Sequence, residues 1–291
     1  MIPLLDTHQH LIYPDIADYS WTDSIPELAH KSFTNSAYWR IASDSGIGAT
    51  LFMEAGVDDA DYQDEARYAA CLAEESTNRI IGIVASCRPE HVEGFDAWLD
   101  ECAGMPVVGF RRILHELDDR LSRTEEFRAN VRKLGKLDLT FDMCFLARQL
   151  PVAVELARAC DNTRLILDHC GVPDISGGEF KLWQRGISEL AELPNVSCKL
   201  SGVMAYCAPG TASLATIEPY LNHVVNAFGS ERLLWGSDWP VVNMANGLVD
   251  WIAVTRSFLD SLSDDEAVKL AHANASRIYQ LQTLPLIDQA V

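Results

Sequence analysis

Eight times along these 291 residues, a short β-forming run is followed by a longer stretch with helical spacing, and no two runs are joined by a hairpin turn. The β runs cover 4–8, 49–54, 80–86, 107–113, 139–145, 165–169, 196–200 and 233–236. Helical spacing follows over 34–45, 61–76, 91–102, 124–134, 151–160, 180–193, 214–228 and 248–262, and an extra helix over 264–281 opens on the capping-box pair Ser263 and Glu266. Thr34 supplies the first cap, and Gly46 and Gly48 end that helix. Strands that never return by a hairpin must be parallel, and eight such pairs predict closure into a (β/α)8 TIM barrel, a single domain over 1–291 with one extra C-terminal helix. A doubly wound open sheet is the alternative. It fits less well, because the first βα turn has no G-x-G-x-x-G fingerprint and no linker-like composition divides the chain.

A formal net charge of -19 repels a phosphate backbone, which excludes nucleic acid as a partner. No apolar run approaches the roughly 20 residues that span a bilayer, and the N-terminus carries no basic and apolar leader, so the expected location is the cytoplasm. The eight cysteines form no C-x-x-C pair and sit mostly in apolar segments, as buried reduced thiols would. Nothing in the sequence sets an oligomeric state.

Parallel barrels carry their chemistry at the C-terminal ends of the strands. Strand one ends in Asp6-Thr7-His8-Gln9-His10, where a period of two sends both histidines to one face, within reach of one metal ion or simply hydrogen-bonded at a strand end. Strand two ends in Glu54, which alternatively caps the helix near Asp61 or is solvated. Strand four brings Arg111 and Arg112 to opposite faces, and parity with the small inward Gly109 favours Arg111 inside. His115 lies just beyond. Strand six ends in Asp168-His169, strand seven in Lys199 and Ser201, and strand eight in Asp238-Trp239-Pro240; Lys199 alternatively pairs with Asp168. Unpaired buried charge is too costly to be core filler, so convergent charges face a ligand, a metal or one another. The long segment from His10 to Phe33 reads as a lid, with Asp18, Trp21 and Thr22 as candidate substrate contacts; His115 and Trp239 are candidate pocket walls.

Asp6-Thr7-His8-Gln9-His10, Gly109-Phe110-Arg111, Leu167-Asp168-His169-Cys170-Gly171, Cys198-Lys199-Leu200-Ser201-Gly202 and Trp235-Gly236-Ser237-Asp238-Trp239-Pro240 together resemble the amidohydrolase superfamily. More narrowly, they are similar to its branch of sugar-lactone and dicarboxy-pyrone lactonases. The resemblance runs from the first strand to the last. It implies a (β/α)8 barrel with His8 and His10 as metal ligands and Asp238 as ligand and general base. Binuclear members carry a bridging lysine or glutamate near strand four and a histidine on strand five. Here stand Arg111 and only Asp142, Met143 and Cys144, so one divalent ion is the expectation, zinc by preference, with a metal-free site as the alternative. Glu54 is the oxygen ligand available to complete His8, His10 and Asp238.

The expected reaction is hydrolysis of a sugar-acid lactone to the open aldonate. It needs an activator for water and positive charge for the developing oxyanion. Asp238 is the expected base, with His169, Arg111 and Lys199 holding ring hydroxyls or the carbonyl oxygen. A lactone isomerase, a decarboxylase of the same superfamily and a non-catalytic carbohydrate-binding barrel remain as alternatives.

Overall fold

The computed structural model describes residues 1–281; the last ten residues of the domain expected over 1–291 lie outside the described residues. Eight strands, β1 (Leu4–Gln9), β2 (Ile47–Met53), β3 (Ile80–Ser86), β4 (Val107–Ile113), β5 (Thr140–Cys144), β6 (Arg164–Leu167), β7 (Val196–Leu200) and β8 (Leu233–Trp235), pair in sequential order, every pair parallel. The seam closes just past the end of β8, where the Asp238 amide donates to the His8 carbonyl at 2.9 Å and the His10 amide to the Trp239 carbonyl at 2.8 Å. The (β/α)8 architecture read from the sequence is the one observed.

Helices α1 (Asn35–Ala42), α2 (Tyr62–Glu74), α3 (Phe95–Cys102), α4 (Glu125–Lys136), α5 (Leu150–Ala159), α6 (Phe180–Ala191), α7 (Leu214–Phe228) and α8 (Leu248–Leu259) follow the strands in turn. Thr34 caps α1 by accepting from the Ala37 amide, as its position predicts. The helices bury their apolar faces against the outer faces of the strands in one large core containing Tyr38, Trp98, Phe127, Trp183 and Trp251. Gly48 does not end a helix; it lies within β2, which starts two residues earlier than expected. Strand β6 stops at Leu167, two residues short of the expected end, because the chain turns left-handed at His169.

The extra C-terminal helix is present but interrupted: α9 (Asp264–Val268) starts on the Ser263–Glu266 capping box, a π turn spans Lys269–Ala273, and α10 (Asn274–Ile278) completes it. It closes the bottom of the barrel. Ala275, Ile278 and Tyr279 pack with Leu5, Ala49, Leu51, Val84, Ile166 and Leu234 in a second, smaller core inside the sheet. The barrel is therefore apolar at its floor and polar above. No helix of the described residues is long and apolar enough to cross a membrane.

Candidate active site

Register, rather than simple alternation, brings His8 into the barrel. Asp6 pairs with Thr50 and Gln9 with Phe52, so three steps on β1 oppose two on β2. This bulge lets Leu5 and His8 both face inward, while Asp6 faces outward and accepts from the Tyr38 hydroxyl at 2.7 Å. The His8 and His10 rings meet edge to face with centroids 4.8 Å apart.

The chain reaches Asp238 (φ 57°) and His169 (φ 53°) in left-handed backbone. Around His169 the conformation is sustained: Cys170, Gly171 and Val172 follow at φ 53°, 68° and 45°. A left-handed residue other than glycine costs about 1–2 kcal/mol. The turn is held by the Trp183 indole, which donates to the Cys170 carbonyl at 2.7 Å. It swings His169 and Val172 onto the cavity.

Asp238, nearly fully buried, is the centre of the arrangement. Its Oδ1 lies 3.3 Å from His10 Nε2 and 3.8 Å from His8 Nε2, and its Oδ2 lies 3.7 Å from His169 Nδ1. Among the described residues no protein donor makes a hydrogen bond to this carboxylate. Gly202, after β7, makes room for it, since a Cβ there would stand 2.1 Å from Oδ2.

The imidazoles are oriented from behind. His10 Nδ1 lies 3.0 Å from the Met53 carbonyl, and His8 Nδ1 lies 3.4 Å from Asp168 Oδ1. Each ring thus directs Nε2 toward Asp238. Burial pushes His8 well below the usual histidine range despite the Asp168 carboxylate, and pushes His169 down despite Asp238. Both are neutral donors or ligands. Ser201 Oγ, 3.0 Å from His169 Nδ1, fixes the third ring.

Arg111 points inward and Arg112 outward to Glu90, as parity predicts. The Arg111 guanidinium donates to Glu54 Oε1 at 2.5 Å, to the Glu54 carbonyl at 2.6 Å and toward Asp168 Oδ2 at 3.4 Å; Nη1 lies 3.2 Å from His8 Nε2. Burial opposes its charge, but Glu54 and Asp168 outweigh that and hold it cationic. Glu54 has its second oxygen on the Gly56 amide at 2.9 Å. Both carboxylate oxygens are engaged, and Glu54 stands outside the group formed by His8, His10 and Asp238, whose ligand atoms all lie within 4.8 Å of one another.

Lys199 does not reach the cavity. It lies beneath His8, donating to Asp142 Oδ2 at 2.6 Å with Asp168 Oδ1 at 3.5 Å, so the structural pairing with Asp168 is realised and a second partner added. Burial pushes Asp142 up to about 7 against the pull of Lys199, whereas Lys199, His8 and Arg111 overcome burial to hold Asp168 well below the carboxylate range. Asp168 is the strand-end charge expected as the partner of Lys199, whereas Asp142 is a site residue the sequence did not single out. Inward parity on β5 is the signal that finds it.

The cavity above measures about 300 Å³. Its floor is His10, Arg111, His169 and Asp238; its walls are mostly apolar, including Trp21, Ile25, Ile113, Leu146, Val172, Val241 and Met244, with Tyr206, Cys144, His115 and Glu116 among them. Trp21 is on the lid segment, in a 3-10 turn (Ser20–Ser24) whose indole donates to the Ala55 carbonyl at 2.8 Å. The segment's ends are tied by an antiparallel bridge between Ile12 and Phe33. Thr22 turns its hydroxyl to the Tyr19 carbonyl instead of the cavity. Trp239 is no wall: it packs behind the site against Phe33 and Tyr38, because the cavity-facing position at the end of β8 is taken by Asp238.

A family model described as amidohydrolase matches residues 5–281. The chain belongs to this family. Among amidohydrolases it is similar to an L-fucono-1,5-lactonase of Burkholderia ambifaria, 28% identical with 95% of each chain covered. It also resembles an L-rhamnono-gamma-lactonase of Scheffersomyces stipitis, 24% identical over 60% of this chain and 59% of that one. In structure it is similar to a Burkholderia multivorans amidohydrolase crystallised with bound zinc, with a TM-score of 0.87, 27% identity and coverage of 96% of this chain and 99% of that one.

Proposed function

We propose that this amidohydrolase is a lactonase that opens a sugar-acid (aldono) lactone to the aldonate in carbohydrate catabolism. The observation that carries the reading is the Asp238 carboxylate, buried at the cavity floor among three imidazoles and without a hydrogen bond from any protein donor among the described residues. Relatives named for sugar-lactone hydrolysis support the substrate class.

His8, His10 and Asp238 fit a divalent metal ion: two imidazoles held from behind and a carboxylate with open oxygens form a suitable donor set. That ion, zinc in this reading, would supply Lewis acidity and a lowered water pKa when bound. Glu54 contributes indirectly, by holding Arg111.

Asp238 accepts the proton of the attacking water, whose oxygen bonds to the lactone carbonyl carbon. The carbonyl oxygen becomes an oxyanion, which the neighbouring Arg111 guanidinium and the His169 ring stabilise from preset positions. As the ring C–O bond breaks, Asp238 returns the proton to the departing alkoxide, giving the hydroxy acid. Trp21 and the apolar walls hold the ring over the floor and exclude water, with His115 as a polar contact at the rim. Lys199 acts from beneath through His8. The same reading places the protein in the cytoplasm, consistent with eight free cysteines of which six are buried.

The test is proton release from a panel of aldono-lactones, for the wild type and Asp238→Asn, before and after chelation. Turnover should fall about a thousandfold in the variant with little change in KM. Equal activity would remove Asp238 as the base. Activity lost on chelation and restored by zinc supports the ligand set, and activity that survives chelation leaves Asp238 and the basic residues to act alone.

A further inference from the structure

Below the cavity floor runs a chain of polar contacts that ends on the extra C-terminal helix. The Tyr279 hydroxyl, just past α10, donates to Asp142 Oδ2 at 3.0 Å, with Oδ1 at 3.3 Å. Asp142 Oδ2 accepts from Lys199 Nζ at 2.6 Å, and Nζ lies 3.4 Å from His8 Nδ1. We propose that Tyr279 is a positioning residue for the reaction: it fixes Asp142, and through it Lys199, so that His8 keeps Nε2 directed into the site. What His8 does there rests on the lactonase reading above.

A plug for the barrel floor needs only an aromatic ring. Tyr279 sits among Leu5, Ile166, Leu234, Ala275 and Ile278, where phenylalanine would pack as well. A hydroxyl in such a layer is costly unless paired, and its hydrogen bonds among the described residues go to Asp142. Lys199 Nζ also lies 5.5 Å from the ring centroid, so both parts of the tyrosine meet the ionic layer. That layer needs a holder. A lysine ammonium on a flexible stem has no preferred direction of its own, and Lys199 stands between two carboxylates, Asp142 at 2.6 Å and Asp168 at 3.5 Å. Asp168 is also the group that orients His8 Nδ1. With Asp142 pinned, Lys199 stays on it and leaves Asp168 to the imidazole. With Asp142 loose, Lys199 swings to Asp168 and competes for the oxygen that faces the ring.

The test uses the full chain with Tyr279→Phe, Ile278→Val as a packing control, and Asp142→Asn alone and combined with Tyr279→Phe. Tyr279→Phe should lower kcat about tenfold at unchanged KM. It should also move the ring-nitrogen NMR signals of His8 in metal-stripped protein. Ile278→Val should lower Tm and leave kcat and those signals unchanged. The double variant should be no slower than Asp142→Asn. A Tyr279→Phe protein with lowered Tm but unaltered kcat and His8 signals makes the tyrosine a plug and overturns the proposal, as do losses that multiply in the double variant. If the wild type turns over no lactone, the functional reading fails while the His8 signals still decide the positioning.

Discussion

Gly202→Ala tests whether the placement of Asp238, and not merely its presence, sets the rate. A Cβ at position 202 would lie 2.1 Å from Asp238 Oδ2, 2.9 Å from Cγ and 3.0 Å from Cβ. Rotating the carboxylate alone cannot relieve all three contacts. Restoring ordinary contact requires Oδ2 to retreat by about 1.3 Å from position 202, which displaces it from its present place 3.7 Å from His169 Nδ1. A misplacement of about 1 Å costs on the order of a hundredfold in rate, or roughly 2.7 kcal/mol of barrier. Residue 202 also has φ +63°, so alanine adds about 1–2 kcal/mol of backbone cost that has nothing to do with catalysis. Gly210→Ala separates the two effects, because Gly210 has φ +75° and a Cβ there meets nothing within 4 Å. Both variants should lose similar backbone stability in urea melts. Only Gly202→Ala should lose about a hundredfold in kcat. If the two variants turn over a lactone within threefold of each other, the placement of Asp238 is not what limits the rate.

Two further outcomes follow from the buried charges. Glu54→Gln puts an amide where both carboxylate oxygens accept, leaving Arg111 with Asp168, at 3.4 Å, as its remaining carboxylate among the described residues; urea unfolding should show a loss of about 3–5 kcal/mol, and a loss below about 1 kcal/mol would mean that Asp168 suffices to hold Arg111. Asp142, raised by burial to about 7 from the 3.8 usual for an aspartate, contributes stability that is fully present below the unfolded pKa and is lost as pH rises toward the folded one. Relative to Asp142→Asn, the wild type should therefore lose about 1.4 kcal/mol per pH unit from pH 4 to about 7 and level off above. A flat difference in urea melts across that window would show that Asp142 is ionised in the folded protein throughout.

Much of this was legible in the chain itself. The alternation of short β runs and helical stretches gave the barrel, and the strand-end rule gathered His10, Arg111, His169 and Asp238 around one cavity, with His8 packed against His10 and His169. What was hidden is instructive. A strict period of two would have placed Asp6 on the same face as His8, and only the register slip against β2 separates them. Lys199 and Glu54 were visible as charges at strand ends, but their partners depend on depth along the barrel axis, which no local pattern encodes. Trp239 looked like a wall because it adjoins Asp238; the left-handed backbone at Asp238 sends the indole behind the site. The role of the last helix as a floor was invisible, since its contacts with Leu5 of β1 cross nearly the whole chain.

The left-handed turn after β6 sets stability against chemistry at three side chains. His169, Cys170 and Val172 each occupy a conformation in which glycine or asparagine would be more comfortable. A selection for heat resistance alone would be drawn to these positions. It would be rewarded for erasing the imidazole at 169 and the cavity wall at 172. Libraries built to harden this barrel should therefore hold the turn constant and seek their gains on the outer helices.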